Sequence, residues 1–170
     1  METKLNIGCG KDIKQGYVNV DCVKFEGVDK VCNLNKFPWP FKDNTVDEVL
    51  AFNIIEHLAD AYRVFEELHR ICKDGAIIRI IVPHFSSFSC WGDIQHKRGF
   101  TVESFNRPNM ADKFDIKRIK LGFPWRFKSL FEKIINRYIG FYETHLAYIF
   151  TSGDIHAELR VKKQGNGERA

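Results

Sequence analysis

The sequence lacks the patterns that mark zinc ribbons, disulfide-rich proteins and membrane-spanning proteins. Its five cysteines include no C-x-x-C pair, which argues against a zinc ribbon and against a disulfide framework. The most apolar run, residues 76–82, contains an arginine and is too short to span a bilayer. Because the first apolar run begins almost at once, we expect no signal peptide and a cytoplasmic protein with reduced thiols.

The sequence also has no long basic run of the kind found in nucleic-acid-binding arms, although its formal net charge is +4. Hydrophobic residues make up 44% of the 170 residues, and 15 residues are phenylalanine, which is enough for the core of one domain. We predict a single domain over residues 1–161, a candidate cap or substrate region over 122–150, and a flexible polar tail over 162–170.

Two short apolar runs near the start are separated by a glycine-containing turn. The first run ends in Gly8, Cys9 and Gly10, and the second ends in Asp21. Glycine removes the side chain that would keep a ligand away from the backbone. A carboxylate that closes the following strand can accept hydrogen bonds from ribose hydroxyls. The pattern therefore predicts a strand, a turn and a second strand that bind a nucleoside-containing cofactor.

The middle of the chain alternates strand and helix patterns. Residues 46–52 read as a strand, and a helix is predicted from about Glu56 to a glycine stop at Gly75. The nearly continuous apolar run that follows is typical of a strand covered on both faces. Strand, helix and strand in succession indicate a doubly wound α/β sheet. The remaining predicted elements are a capped helix at 101–105, a strand at 114–121, an amphipathic helix at 127–138 and a last strand at 154–161.

Several short motifs resemble the small branch of the class I S-adenosylmethionine-dependent methyltransferases. Residues 5–10 read Leu-Asn-Ile-Gly-Cys-Gly, residues 16–21 read Gly-Tyr-Val-Asn-Val-Asp, and residues 55–58 read Ile-Glu-His-Leu. The resemblance covers about two-thirds of the chain, and its specificity comes from the ordered series of motifs. It implies an α/β fold with a doubly wound, mostly parallel seven-stranded sheet whose last strand is antiparallel, and it implies S-adenosylmethionine as the cofactor.

The resemblance also implies a set of cofactor-binding residues. The methionine part of the cofactor would lie against the glycine turn, Asp21 would bind the ribose diol, and Asn33 would serve the adenine edge. Asn6 stands where many relatives carry an acid for the cofactor's ammonium group. The complete implied set is Asn6, Gly8, Cys9, Gly10, Asp21, Asn33, Leu34, Phe52 and Asn53.

The sequence departs from the family pattern in its first loop. Only residues 11–15 separate the turn from Gly16, so the first crossover helix is expected to be short or absent. Many relatives cover the cofactor with an N-terminal segment that this sequence does not match. We expect the cover to come from residues 85–99, from residues 123–150, or from another subunit of a homodimer.

His84 and His96 are the candidate general bases. His84 follows the predicted fifth strand, at the edge where ligands bind in open α/β sheets. His96 lies in the polar loop beyond it. The alternative is that either histidine caps a strand end or is solvated. A metal site built from Asp93, His96 and His84 is disfavoured because no further ligand is fixed, and Glu56 is interpreted as an acid at a helix start. The sequence therefore predicts no metal.

The predicted function is methyl transfer from S-adenosylmethionine, by in-line displacement, to a small or medium-sized organic acceptor. Trp125 and Arg126, ahead of a helix with one basic face, leave an anionic or lipid-like acceptor or a membrane surface open. The alternatives are a non-catalytic cofactor-binding partner subunit and an RNA or protein methyltransferase, although no RNA-binding module is recognisable. A nicotinamide-dependent oxidoreductase is disfavoured because the G-x-G-x-x-G spacing is incomplete.

Overall fold

The computed structural model describes residues 2–123 and 128–163. Residues 124–127, which include Trp125 and Arg126, and residues 164–170 of the predicted tail lie outside the described residues. The strands are β1 Lys4–Ile7, β2 Val18–Asp21, β3 Lys30–Val31, β4 Val46–Phe52, β5 Cys72–Pro83, β6 Phe114–Leu121 and β7 Asp154–Val161. The helices are α1 Ala61–Ile71, α2 Phe88–Gly92, α3 Pro108–Ala111, α4 Lys128–Arg137 and α5 Ile139–Phe141, with 3-10 turns at Ile55–His57 and Val102–Phe105 and a π turn at Tyr142–Leu146.

The strands form one seven-stranded sheet in the order β3-β2-β1-β4-β5-β7-β6. All pairs from β3 to β5 are parallel, and β7 is antiparallel to both of its neighbours. The predicted fold class is confirmed. The chain runs outward from β1 to β3 and then returns to the other side of β1, so the strand order reverses between β1 and β4. Ligands of open α/β sheets bind outside the carboxyl ends of the strands at such a switch point.

The helix after β4 differs from its prediction at both ends. Asp60 is its N-cap and accepts a hydrogen bond from the Arg63 backbone N–H at 3.0 Å. Ile55–His57 is a separate 3-10 turn. The predicted glycine stop is wrong, because Gly75 lies inside β5 at a register shift against β4. Pairing with β4 begins at Cys72. The hydrogen bonds between β4 and β5 therefore determine where the helix ends, and the glycine at position 75 does not.

β5 is covered on one face only, which corrects the prediction of a strand buried on both faces. Ala76, Ile78, Ile80 and Val82 are buried, whereas Arg79 on the opposite face is exposed. On that face Arg79 forms ion pairs with Glu48 and Glu158. The connections between β1 and β2 and between β2 and β3 contain no helix, so neither supplies a cover. Ile78 and Ile80 are buried, whereas Ile77 and Ile81 on the other face are half-buried. A continuous apolar run therefore does not reveal whether one face of a strand or both faces are covered.

The core lies on the other face, where α1 packs against the sheet. This helix buries Val64, Phe65, Leu68 and Ile71 at three- and four-residue spacing. Burying each such side chain stabilises the fold by about 1.5–3 kcal/mol. Phe65 also contacts the edges of the Phe105 and Phe114 rings. The predicted element that ends at Phe105 is confirmed as a 3-10 turn with Thr101 as its N-cap in a capping box.

The polar side of α1 binds the proline-containing segment at residues 37–41. The Glu67 carboxylate accepts hydrogen bonds from the Trp39 backbone N–H at 2.7 Å and from the Arg70 guanidinium at 2.7 and 2.8 Å. Trp39 is buried, and its indole N–H donates to the Leu34 carbonyl at 3.1 Å. In the part of the chain described, no helix has the length and apolar character needed to cross a membrane.

Candidate functional site

The turn after β1 has two glycines with different surroundings. Gly8 has φ +64°, and a Cβ built there would lie 2.3 Å from Cγ1 of Ile54, which follows β4. Gly10 has φ +49°, and a Cβ there would meet nothing within 4 Å. Gly8 is therefore required by the close packing of the two strand ends. Gly10 instead leaves open space above its backbone, where a ligand can approach.

The Asp21 carboxylate is held beside this turn at the end of β2. Its Oδ2 accepts a hydrogen bond from the Gly10 backbone N–H at 2.8 Å, and its Oδ1 accepts one from the Val23 backbone N–H at 3.0 Å. A carboxylate offers about four acceptor positions, so both oxygens can accept further hydrogen bonds. The structure brings Asp21 and Gly10 together at the carboxyl edge.

Asn6 lies beneath the turn, where it is 3% exposed. Its Nδ2 donates to the Asp12 carbonyl at 2.8 Å and to Oδ1 of Asn19 at 3.0 Å. Asn19 in turn accepts from the Lys14 N–H and donates to Asp29. Both amide hydrogens of Asn6 are thus used inside the protein, so this group shapes the turn. Its predicted contact with the cofactor's ammonium group stays a prediction.

The other residues implied around the cofactor divide into exposed and buried groups. Asn33 is exposed, and its Oδ1 accepts from the Asn35 N–H at 2.9 Å. Leu34 and Cys9 are buried, and their predicted contacts with the cofactor stay predictions. Burial also raises the pKa of the Cys9 thiol. Cys9 donates its backbone N–H to the Val20 carbonyl at 3.1 Å, which fixes the turn against β2.

Phe52 is the last residue of β4 and Asn53 follows it, and their side chains have different surroundings. The half-buried Phe52 side chain lines a shallow cavity of about 140 Å³ on the uncovered sheet face, together with Ile81 and His156. Asn53 is exposed with φ +51°, and its N–H donates to the Ile81 carbonyl at 2.8 Å. Of the two, Asn53 presents its polar side chain at the carboxyl edge.

His84 is fully buried at the end of β5. Its Nδ1 accepts from the Ser86 backbone N–H at 3.2 Å and contacts the Ser86 hydroxyl at 2.8 Å. The proton therefore lies on Nε2, which donates to Oε1 of Glu143 at 3.0 Å. The same Glu143 oxygen accepts from the Val102 N–H at 2.8 Å. Because both ring nitrogens have protein partners, the geometry favours the structural alternative for His84 over proton transfer.

His96 lies beside Glu56 and His57, whereas the ring nitrogens of His84 contact Ser86 and Glu143. The His57 and His96 rings contact edge to face with centroids 4.5 Å apart. The ligating atoms of Glu56, His57 and His96 all lie within 4.8 Å of one another. Asp93 stays 3.8 Å from Nε2 of His96. The metal set of Asp93, His96 and His84 that was weighed from the sequence is not assembled.

Glu56 is the unusual member of this cluster, and the sequence did not predict that Glu56, His57 and His96 come together. Glu56 is 1% exposed, and neither carboxylate oxygen has a hydrogen-bond partner among the described residues. Burial raises the pKa of Glu56 to about 7, and burial also lowers the pKa of His57. The motif Ile-Glu-His-Leu was visible in the sequence. The missing information was that a loop forty residues away folds back onto it.

Residues 85–99 form that loop, and hydrogen bonds from its C-terminal end hold it against residues 56–59. The Lys97 backbone N–H donates to the Glu56 carbonyl at 2.8 Å. The Arg98 guanidinium donates to the Leu58 and Ala59 carbonyls at 2.8 and 2.7 Å. The loop therefore lies over the turn that follows β4, at the same edge as Gly10.

Large apolar side chains are exposed around this edge. Phe88, Trp91 and Ile94 of the loop are 89%, 70% and 98% exposed. Tyr148 is 84% exposed and contacts the Phe85 ring, with centroids 5.4 Å apart. The contact links the loop to residues that follow the π turn, inside the predicted cap region. Exposed apolar side chains of this size are found on protein surfaces that bind ligands, partners or membranes.

Comparison with known proteins gives the same class as the fold. A methyltransferase domain family matches residues 12–80. The chain is 38% identical over 55 residues to cycloartenol-C-24-methyltransferase of Arabidopsis thaliana and 26% identical over 128 residues to an uncharacterised protein of Methanocaldococcus jannaschii. These matches cover 31% and 69% of this chain, and they span 16% and 54% of the two relatives.

A solved structure shares the fold over almost the whole chain. The S-adenosylmethionine-dependent methyltransferase from Archaeoglobus fulgidus superposes with a TM-score of 0.61 at 19% identity, covering 94% of this chain and 86% of that one. The family match and the fold confirm the resemblance seen in the sequence. The chain is therefore similar to class I S-adenosylmethionine-dependent methyltransferases, in a domain-family match over residues 12–80 and in its fold.

Proposed function

We propose that this protein binds S-adenosylmethionine at the turn of Gly8, Cys9 and Gly10 and transfers its methyl group to a small or medium-sized organic acceptor. One observation carries the proposal. The open space above Gly10 lies directly beside the fixed Asp21 carboxylate, at the switch point of a methyltransferase fold. A backbone that a ligand can approach and an acceptor for ribose hydroxyls are the two features that a methionine nucleoside needs.

The residues around the turn would share the work of holding the cofactor. Asp21 accepts hydrogen bonds from the ribose, Asn33 offers an exposed amide to the adenine edge, and Asn53 adds a polar side chain beside the reacting end. When bound, the cofactor supplies a methyl group that is already activated on a sulfonium sulfur. The chain must then align the acceptor's nucleophile with that methyl group and exclude water.

The exposed aromatic surface favours an acceptor with an apolar body. Phe88, Trp91 and Ile94 of the loop and Tyr148 after the π turn are exposed and offer apolar contacts. The partial likeness to a plant cycloartenol methyltransferase agrees with such an acceptor. If the acceptor must lose a proton, His96 has an imidazole nitrogen directed into the cluster at the carboxyl edge. His84 would not transfer a proton and would instead hold the Glu143 side chain in position.

A methyl-transfer assay tests the proposal. The protein is incubated with S-adenosylmethionine carrying a labelled methyl group and with a panel of acceptors that includes sterols, apolar phenols, apolar amines, RNA and a protein extract. We expect S-adenosylhomocysteine to form with at least one apolar acceptor. The KM for the cofactor should rise in Asp21→Asn. The control is Glu26→Gln, which removes an exposed acid in the loop after β2 and should leave this KM unchanged. Labelling of RNA or protein alone would contradict the proposed acceptor class.

A second candidate is a partner subunit that binds the cofactor without catalysis. The observation that favours it is the uncovered sheet face together with the exposed aromatic surface, both of which can accept another protein. This alternative predicts that S-adenosylhomocysteine binds and that no acceptor in the panel is methylated.

A further inference from the structure

Glu56, His57 and His96 form a cluster that the cofactor site does not use. One ligating atom from each residue can be chosen so that all three lie within 4.8 Å of one another. The residues come from two distant stretches of chain, the turn after β4 and the loop over 85–99. The Lys97 N–H to Glu56 carbonyl hydrogen bond of 2.8 Å joins the two stretches beside the cluster.

The carboxylate of this cluster has no protein partner that explains its position. Glu56 is 1% exposed, and both of its oxygens lack hydrogen-bond partners among the described residues. A carboxylate buried without hydrogen bonds is costly, and buried charges in proteins are normally paired or coordinate a metal. The two nearby imidazoles form no hydrogen bond with this carboxylate, and each offers a nitrogen atom that can ligate a metal.

The His96 imidazole is oriented as metal-binding histidines usually are. Nδ1 of His96 donates to the Cys90 carbonyl at 3.0 Å, which leaves the lone pair on Nε2. His57, in the turn after β4, forms a hydrogen bond with the backbone of Gln95 in the loop. Metal-ligating histidines commonly donate their other ring N–H to a backbone carbonyl or carboxylate, which fixes the tautomer.

We propose that Glu56, His57 and His96 bind a divalent transition-metal ion, with Zn²⁺ as the representative ion. Two imidazole nitrogens and one carboxylate oxygen suit ions of this class, whereas Mg²⁺ and Ca²⁺ prefer oxygen ligands throughout. Three protein ligands leave coordination positions open. With the ion bound, Nε2 of His96 is a ligand and does not act as the general base. On the proposed function, an open coordination position would then bind an oxygen of the methyl acceptor and orient it at the carboxyl edge.

Titration of the metal-free protein with Zn²⁺ tests the site. The chain is treated with a chelator, exchanged into metal-free buffer and titrated with Zn²⁺ in a calorimeter, without cofactor. We expect one ion to bind per chain. Glu56→Gln and His96→Ala should each weaken binding at least about 100-fold, because losing even an outer-shell partner of a metal site costs about 10–100-fold. Thermal unfolding of each metal-free variant checks that it is folded.

Two matched controls separate this site from other zinc-binding groups. His145→Ala removes an exposed imidazole outside the cluster, and Cys22→Ser removes the exposed thiol. Both should bind Zn²⁺ as the unchanged protein does, and Co²⁺ should give a spectrum without thiolate charge-transfer bands. The proposal is overturned if Zn²⁺ does not bind, if Cys22→Ser abolishes binding, or if Glu56→Gln and His96→Ala both bind normally.

The metal site and the proposed function can fail separately. Binding of S-adenosylhomocysteine is measured on the same metal-free protein. Zn²⁺ binding without S-adenosylhomocysteine binding would support the metal site and contradict the proposed function. The opposite result would contradict the metal site alone.

Discussion

Gly8 and Gly10 share a positive φ but differ in what surrounds them, so their alanine variants should fail in different ways. Gly8→Ala places a methyl group against Ile54. It should lower the free energy of unfolding by about 2–4 kcal/mol, from backbone strain and overpacking. Gly10→Ala meets no protein atom. It should cost only about 1–2 kcal/mol of strain and should reduce affinity for S-adenosylhomocysteine at least tenfold.

Urea unfolding and ligand calorimetry on the two variants measure this contrast. If Gly10→Ala bound the ligand as tightly as the unchanged protein, the space above Gly10 would not be the cofactor site.

Glu67 should make stability depend on pH in acid. Burial alone would raise its pKa, but hydrogen bonds from Arg70 and from the Trp39 N–H outweigh burial and hold the pKa below its ordinary value. A carboxyl group of this kind stabilises the fold above its unfolded pKa, and the contribution is lost as the pH falls through its folded pKa. Glu67→Gln should therefore cost about 1.5–3 kcal/mol at neutral pH, as for hydrogen bonds to a charged group.

The cost of Glu67→Gln should shrink as the pH is lowered, and urea unfolding across the acid range measures it. The exposed Glu26→Gln serves as the control. A cost that stayed constant down to strong acid would contradict the assigned role of the Glu67 charge.

Among the larger elements, the loop formed by residues 85–99 depends on Arg98 for its position over the turn that follows β4. Arg98→Ala removes two charge-assisted hydrogen bonds to the Leu58 and Ala59 carbonyls. It should destabilise the loop by about 1.5–3 kcal/mol and speed hydrogen exchange of the Lys97 amide. Lys97→Ala removes the same charge but keeps the backbone bond to Glu56, so exchange at that position should stay slow. Equal exchange in both variants would show that Arg98 does not hold the loop.

The sequence correctly predicted the helices and strands that depend on residues close together in the chain. β6 and β7 have the predicted bounds, because alternation of apolar and polar residues marks a strand with one covered face. Thr101 is an N-cap as predicted, because its partner Ser104 is three residues away. The start of α1 at Ala61 was missed because Glu56 and Asp60 are both acids suited to a helix start, and only Asp60 makes the capping bond.

The candidate site was predictable only in part, for the same reason. Gly10 and Asp21 are close in sequence, and the motif order indicated that they meet. The cluster of Glu56, His57 and His96 depends on the path of a loop that returns from the next strand, and no local pattern encodes that path. The burial of His84 depends in the same way on Glu143, which is far away in the chain.

At the scale of the whole molecule, short connections explain both the open sheet face and the compact ligand edge. The stretches between β1 and β2 and between β2 and β3 are loops, so helical cover within the described residues lies on the face occupied by α1. Asp21, Gly10, Asn53 and the metal-ligand candidates follow different strands, yet they meet at one edge because parallel strands end together. The fold therefore accounts for where the site lies, and the side chains account for its chemistry.

Thermal unfolding with a methionine nucleoside tests the central claim most directly. S-adenosylhomocysteine at a hundred times its dissociation constant adds about 2.7 kcal/mol of stability, which for a chain of this size corresponds to a rise in Tm of roughly 5–10 °C. We predict that rise for the unchanged protein, with no rise from NAD at the same concentration and a much smaller one in Asp21→Asn. No shift with S-adenosylhomocysteine, or an equal shift with NAD, would contradict the assignment of this turn as a methyltransferase cofactor site.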